Sequence, residues 1–296
     1  MGCKNSKASA PGAKADKIGI LHFNDVYDIE DRDLNAKSPD GKPLKAGAAR
    51  LATAMRERGS AEKLVLFSGD IFGGSNLSMH FKGEQMVGVL KRLRVDVNCL
   101  GNHDLDFGID RFKQLCRATG QPWLMANLLG EDGKSVAGLP SHHVLTHRGV
   151  RVGLFGVCEE EWLGLMNPFE LPEELQYVDF VETSKRMSKL LKKKKCDLII
   201  ALTHMRVPND RILAAKCQGE IDLILGGHDH STVNERIGTV TLVKSGCDFE
   251  EFSDISINVA TKEIATTLVQ ITEEFEPDPD MEAHIALFAE ELNRKL

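Results

Sequence analysis

The densest group of chemically useful side chains lies between Asn98 and Gly108, in the run NCLGNHDLDFG. Asn102 offers an amide oxygen, His103 an imidazole, and Asp104 and Asp106 carboxylates. Similar donors recur at distant points: Asp25 in FNDVY, Asp70 in SGD, His204 in THM, and His228 with His230 in GGHDHS. Carboxylate, imidazole and amide oxygen without thiolate suit zinc, manganese, iron or cobalt better than a cysteine-built structural site. The donors are too many for one tetrahedral ion, and two divalent ions sharing a bridging carboxylate accommodate them. Such paired ions, ~3.5–4 Å apart, clamp both oxygens of an in-line displacement at phosphorus.

Distant donors act together only if the fold gathers them. Each follows a short apolar run of the kind that forms a buried strand: residues 18–23, 64–67, 95–100, 197–202 and 221–225. The third run enters Gly101, which lets the chain turn sharply at the sheet edge. In an open α/β sheet, sites form at the C-terminal edge of the strands. A lone buried histidine is usually a satisfied core residue, and a lone Asp after Gly is usually a turn former. Five strand endings that all deliver ligand types are poorly explained as five separate accidents.

Between these strands, apolar residues at helical spacing mark covering helices. The stripes are Ala48, Leu51, Ala52, Met55; Met86, Val89, Leu90, Leu93; Ile109, Phe112, Leu115, Cys116; and Phe180, Ser184, Met187, Leu191. Asn209 is placed to cap a further helix running to Cys217. Residues 123–126 and 239–243 read as strands, and 143–146 with 150–157 and 252–259 with 264–272 as hairpins. Residues 28–45 and 162–172 read as loops. A last helix from Met281 repeats Ile285, Phe288, Ala289, Leu292 and Leu296, a stripe with nothing obvious to cover: either the chain is a truncated form, or the stripe packs on the core or a partner. Two sheets packed face to face, with helices outside, fit this order.

The 296 residues are 42% hydrophobic and 27% charged, a globular composition. A net charge of −7 and 6% aromatics argue against a surface for a nucleic-acid polymer. No apolar run reaches the ~18 residues of a membrane span. Seven cysteines without a CxxC pair suit reduced thiols in the cytoplasm. The start, MGCKNSK, lacks the apolar core of a secretory signal. Gly2 with Ser6 fits N-myristoylation, and Cys3 stands where a second acyl chain attaches, near Lys4, Lys7, Lys14 and Lys17. One myristoyl chain binds membranes only marginally, so the second signal matters. The expectation is a cytoplasmic protein held on the inner face of a membrane; the alternative is an unacylated polar leader. The segments expected are a leader over 1–16, a catalytic unit over 17–275 and a linker-like helix over 276–296.

FNDVY, GDIFGGS, GNHDLDFG, THM and GGHDHS stand in the order of the calcineurin-like metallophosphoesterases, and the wording most resembles the catalytic domain of the 5′-nucleotidase family. The resemblance implies a four-layer α/β/β/α sandwich of two mixed sheets around a dinuclear centre. By that likeness Asp25, Asp70 and His230 hold one ion, with Asp70 bridging, and Asn102, His204 and His228 complete the other. His103 and Asp106 become a dyad beside the leaving group, and Asp104 orients the turn. The implied reaction is phosphoric-ester hydrolysis by metal-bound hydroxide, on a nucleoside 5′-monophosphate or a related small phosphorylated compound. A phosphodiester or pyrophosphate such as a nucleotide sugar, a phosphoprotein, and a degenerate lipid-anchored binding protein are the alternatives. Tyr27 departs from the pattern, because the family usually has histidine there: it is either a phenolate ligand favouring manganese or iron, or a packing residue. The 5′-nucleotidases also carry a C-terminal domain that grips base and sugar, which this sequence does not show.

Overall fold

A computed structural model describes residues 14–165 and 175–295. The chain begins with β1 (Lys17–Phe23), then a hairpin of β2 (Arg32–Lys37) and β3 (Pro43–Ala46), α1 (Ala48–Glu57) and β4 (Leu64–Phe67). It continues through α2 (Asn76–Phe81), α3 (Glu84–Leu93), β5 (Val97–Cys99), α4 (Ile109–Thr119), β6 (Trp123–Leu124) and β7 (Leu128–Leu129). The middle holds β8 (His142–His147), β9 (Val150–Cys158), α5 (Trp162–Leu165), β10 (Gln176–Tyr177), α6 (Phe180–Lys193), β11 (Leu198–His204), α7 (Val207–Lys216) and β12 (Leu223–Gly227). β13 (Thr232–Ile237), β14 (Val240–Ser245), β15 (Glu251–Asn258), β16 (Ile264–Gln270) and α8 (Pro279–Lys295) complete it.

Two six-stranded mixed sheets result, in the orders β16-β15-β1-β4-β5-β6 and β13-β14-β12-β11-β9-β8. In the first, β1, β4, β5 and β6 are parallel; β15 pairs antiparallel with β1, and β16 antiparallel with β15. In the second, β9, β11, β12 and β14 are parallel, edged by antiparallel β8 and β13. The two-residue period of a strand divides the side chains between faces. Ile18, Ile20, Leu64, Leu66, Leu198, Ile200 and Leu202 pack between the sheets. The alternate residues Leu21, Phe23, Val65 and Phe67 meet α1, α3 and α4, and Ile199 and Ala201 meet α6 and α7. That gives the four layers α/β/β/α.

Several elements differ from expectation. Residues 28–45 are no simple loop: β2 pairs with β3, and Lys45 N–H donates to the Ile271 carbonyl (2.9 Å). Exposed charges on that hairpin hide the strand pattern. α2 is short and rests on a capping box between Ser75 and Ser78. α7 starts at Val207 with proline in its first turn, so Arg206, not Asn209, is its cap. Trp162–Leu165 is a helical turn rather than loop, and residues 166–172 lie outside the described residues. Of the alternatives for the α8 stripe, packing on the core is the one found: Met281 is fully buried, His284 Nε2–H donates to the Gln85 carbonyl (2.7 Å), and Phe288 meets Phe81 edge-on at 5.0 Å. Leu296 lies outside the described residues. Among the described residues no helix is long and apolar enough to cross a membrane. Cys99, Cys116, Cys158, Cys196, Cys217 and Cys247 are free thiols.

Candidate metal centre

Parallel pairing aligns the strand ends. Phe23 pairs with Phe67, His204 with Gly227, and His204 with Cys158, so the segments that follow meet at one edge. There the backbone turns sharply. Asp25 (φ 51°), Asp70 (φ 66°), His228 (φ 84°) and His230 (φ 57°) all adopt the left-handed conformation. Each such residue costs ~1–3 kcal/mol, and this kind of strain gathers at functional sites. Asp104 holds the turn: its carboxylate accepts from the amides of Gly101 (2.8 Å), Asp70 (3.1 Å), Ile71 (2.9 Å) and Phe72 (3.0 Å). Burial and the nearby Asp70 charge push the Asp104 carboxyl up to about 7, against those amides. Gly101 is required for contact, since a Cβ there would lie 2.2 Å from Asp70 Oδ1.

Hydrogen bonds aim the remaining donor atoms. His204 Nδ1–H donates to the Ser68 carbonyl (2.7 Å), leaving Nε2 3.1 Å from Asp70 Oδ2 and 3.8 Å from Asp25 Oδ1. Asp25 Oδ2 accepts from Asn24 Nδ2 (2.7 Å) and the His228 amide (2.8 Å), which leaves Oδ1 facing inward. Asp70 Oδ1 accepts from the His103 amide (2.8 Å). Asp25, Asp70 and His204 are buried, with one donor atom of each within 4.8 Å of the others. His230 Nε2 lies 3.5 Å from Asp25 Oδ1, and the Tyr27 hydroxyl 2.8 Å from His230 Nε2. The His228 ring lies 5.1 Å from that of His204, and its Nε2 faces Glu159 Oε1 at 3.5 Å. Asn102 is buried beside His103. His103 Nδ1 meets Asp106 Oδ2 at 2.9 Å, and both side chains are partly open to solvent.

The charges sharpen the picture. Burial disfavours the Asp70 anion, but the His204 and His103 charges prevail and hold its carboxyl at about 2. Burial likewise depresses His204, yet Asp70 and Asp25 raise it to about 9. His103 rises to about 9 through its hydrogen bond to Asp106, opposed by burial and aided by the Asp70 charge. Burial, then Asp70 and Asp25, push the Tyr27 phenol well above its ordinary value. Asn102 Oδ1 and His204 Nε2 are buried without a hydrogen-bond partner among the described residues. Buried polar atoms rarely go unpaired. Two unpaired donor atoms beside two inward carboxylates are what a cation site presents, so the residues fit divalent metal.

One strand end escaped the sequence reading. Glu159 follows β9 directly and is almost fully buried. Its Oε2 accepts from the Arg206 amide (2.9 Å) and Asn209 Nδ2 (2.6 Å), while Oε1 lies 2.8 Å from Arg206 Nε. Burial would raise this carboxyl, but His228 and these donors hold it at about 2. The signal was present: an apolar run ending in a carboxylate, masked by the repeat in Glu159-Glu160-Glu161. Gly2 and Cys3 lie outside the described residues.

Two mixed sheets in a sandwich, with aspartates and histidines gathered at one strand edge, make this an α/β/β/α fold with a candidate metal centre. The family model for calcineurin-like phosphoesterases matches residues 18–232, and the chain belongs to that family. Within it, the chain is 30% identical over 224 residues to a snake venom 5′-nucleotidase from Crotalus adamanteus, covering 73% of this chain and 37% of that protein. It is 29% identical to a human 5′-nucleotidase, covering 75% of this chain and 39% of that protein. The chain thus spans well under half the length of these relatives. A solved 5′-nucleotidase precursor from Thermus thermophilus shares the fold, with a TM-score of 0.79, 18% identity, and coverage of 94% of this chain and 59% of that one.

Proposed function

We propose that the chain hydrolyses the phosphate ester of a small phosphorylated compound, with nucleoside 5′-monophosphates the preferred class, at a centre for two divalent cations. The observation that carries this is the buried Asp25–Asp70–His204 cluster with its unpaired Asn102 and His204 atoms. Bound cations there supply Lewis acidity at phosphorus and lower the pKa of a water nucleophile. Asp70 Oδ2 faces both sides, 3.1 Å from the Tyr27 hydroxyl and 3.1 Å from His204 Nε2, which suits a bridging ligand. Asp25 and His230 would hold one cation, and Asn102, His204 and His228 the other. Glu159 Oε1 faces His228 Nε2 at 3.5 Å. His103, charged up to a pH of about 9 and aimed by Asp106, stabilises the departing oxygen or donates its proton to it. Its exposed ring leaves room for substrate to reach it.

The likeness to two 5′-nucleotidases supports the nucleotide class. Residues 17–275 form the proposed catalytic unit. The linker-like reading of 276–296 must include the fact that α8 packs on α1 and α3. The test is a substrate panel with manganese: a nucleoside monophosphate, a nucleotide sugar, an aryl phosphate and a phosphopeptide. Metal-dependent release of phosphate from the monophosphate, lost in Asp70→Asn, is expected. Turnover of the nucleotide sugar or phosphopeptide alone would move the substrate class. No metal-dependent turnover of any of them would leave a binding protein.

A further inference from the structure

Tyr27 stands among the ligands rather than behind them. Its hydroxyl lies 2.8 Å from His230 Nε2, 3.1 Å from Asp70 Oδ2 and 3.3 Å from Asp25 Oδ1, and His230 Nε2 is 3.5 Å from Asp25 Oδ1. Donors bound at ~2.0–2.2 Å to one ion sit ~2.8–3.6 Å apart, the lower figure for adjacent octahedral and the upper for tetrahedral positions. All four separations fall in that window. The side chain is also held there. Tyr27 N–H donates to Asp248 Oδ1 (2.9 Å), and a Cβ at Gly74 would come within 2.4 Å of the ring. A phenol needs one acceptor to be satisfied in a core, and this one faces three ligand-type groups.

Charge decides which ion. Asp25, Asp70 and a phenolate carry three negative charges, and His230 is neutral when it ligates. Asp70 is shared with the second ion, but the phenolate adds a negative charge that a neutral imidazole at this position would not, and that charge draws a trivalent ion more strongly than a divalent one. Anionic oxygen donors also favour a hard cation. Resting on the dinuclear reading above, we infer that Tyr27 is a phenolate ligand of the ion shared by Asp25, Asp70 and His230, and that it makes this one position selective for ferric iron in place of a divalent ion, the other position keeping its divalent ion. On binding, the phenol O–H bond breaks as the O–Fe bond forms. The proton goes to solvent, and no electron moves because the iron enters as ferric.

The test uses the full chain stripped of metal and titrated with ferric iron as a weak chelate, with zinc in parallel. Bound metal is counted by elemental analysis. Ferric protein should gain a visible phenolate-to-iron charge-transfer band that saturates at one equivalent, with tyrosinate ring modes in its resonance Raman spectrum; zinc protein should gain none. The chain has only two tyrosines, so Tyr27→Phe leaves a single other source of such a band. That variant should lose the band while its circular dichroism is unchanged. Tyr27→His should take up zinc ~10-fold or more tightly than the parent, without a band. Bound iron with no band, or a band that survives in Tyr27→Phe, would overturn the tyrosine ligand and leave the centre standing. Failure of the parent chain to retain any ion would overturn the centre, and this inference with it.

Discussion

His103 and Asp106 are three residues apart on a single turn, and their 2.9 Å contact fixes both the tautomer and the charge of the imidazole. A histidine raised to about 9 is protonated across the neutral range. An acid that must carry its proton loses function as pH rises through its pKa. The rate should therefore hold to a pH of about 9 and fall above it. Asp106→Asn removes the largest cause of the rise, so its alkaline limb should move to lower pH, toward the ordinary histidine value. His103→Ala should lower kcat by ~10²–10⁴ with metal content unchanged. Rate profiles of the three proteins check this, and coincident limbs in parent and Asp106→Asn would remove the dyad. Asp104, between the two, works differently. It is buried and binds four amides of the turns that carry Asp70 and Asn102. Asp104→Ala strands those donors at ~1–3 kcal/mol each, so a total loss of at least ~3 kcal/mol is expected in chemical unfolding.

Among the elements, β14 supplies a buried cation, Lys244, that ties down the histidine turn from below. Its Nζ–H groups donate to the carbonyls of Met205 (2.6 Å) and Gly227 (2.7 Å) and pair with Asp210 (2.9 Å) and Asp229 (2.5 Å). These partners flank His204, His228 and His230. Lys244→Met leaves Asp210 buried without its cation, which costs ~3–5 kcal/mol. Lys244→Met with Asp210→Asn should recover part of that, and a double-mutant cycle in denaturant measures the coupling; strict additivity would mean the pair does not interact. Neither lysine nor aspartate was legible as a partner in the sequence, because 34 residues separate them and nothing local links them. What was legible had a local cause. An apolar run that stops at a donor reports both a buried strand and its edge, which is why Asp25, Asp70 and His204 fell in reach of one another. Edge elements carry a weaker signal. β13 alternates partly buried and exposed residues in a polar run, Thr-Val-Asn-Glu-Arg-Ile, and β2 is almost wholly exposed, so neither has the apolar run that marks a central strand. Glu159 was hidden for the opposite reason, since two further glutamates follow it and make a surface run the simpler reading.

For the whole molecule, attachment and cohesion are separate questions. Acylation at Gly2 and Cys3 is a proposal from the sequence alone: Gly2→Ala should move the chain from the membrane to the soluble fraction, and unchanged partitioning would refute it. Cohesion between the sheets can be tested through His22, which points into the sandwich from β1 and is fully buried. Its Nε2 meets Ser68 Oγ at 2.8 Å and its Nδ1 meets Ser245 Oγ at 2.8 Å, so it bridges the first sheet to β14 of the second. Ser68 Oγ–H donates to the Leu225 carbonyl (2.7 Å), so that oxygen must accept from His22 Nε2–H. Ser245 Oγ–H donates to Ser253 Oγ (2.8 Å) while its oxygen lies 2.8 Å from Nδ1, so the ring is enclosed in a buried hydroxyl cluster. Burial, with the Lys244 charge beside it, pushes His22 down to about 3, whereas an unfolded histidine titrates near ~6.5. The folded state therefore excludes a proton that the unfolded state accepts. The stability this group contributes is complete above a pH of about 6.5 and is lost progressively as pH falls toward about 3. At pH 5 the loss from His22 alone is about 2 kcal/mol, since each pH unit below the unfolded value is worth ~1.4 kcal/mol. His22→Gln keeps a neutral polar group without that titration. Urea unfolding of parent and variant at pH 7.5 and pH 5 should show the parent losing more stability than the variant by that amount; equal losses would mean the two sheets are not joined through a neutral His22.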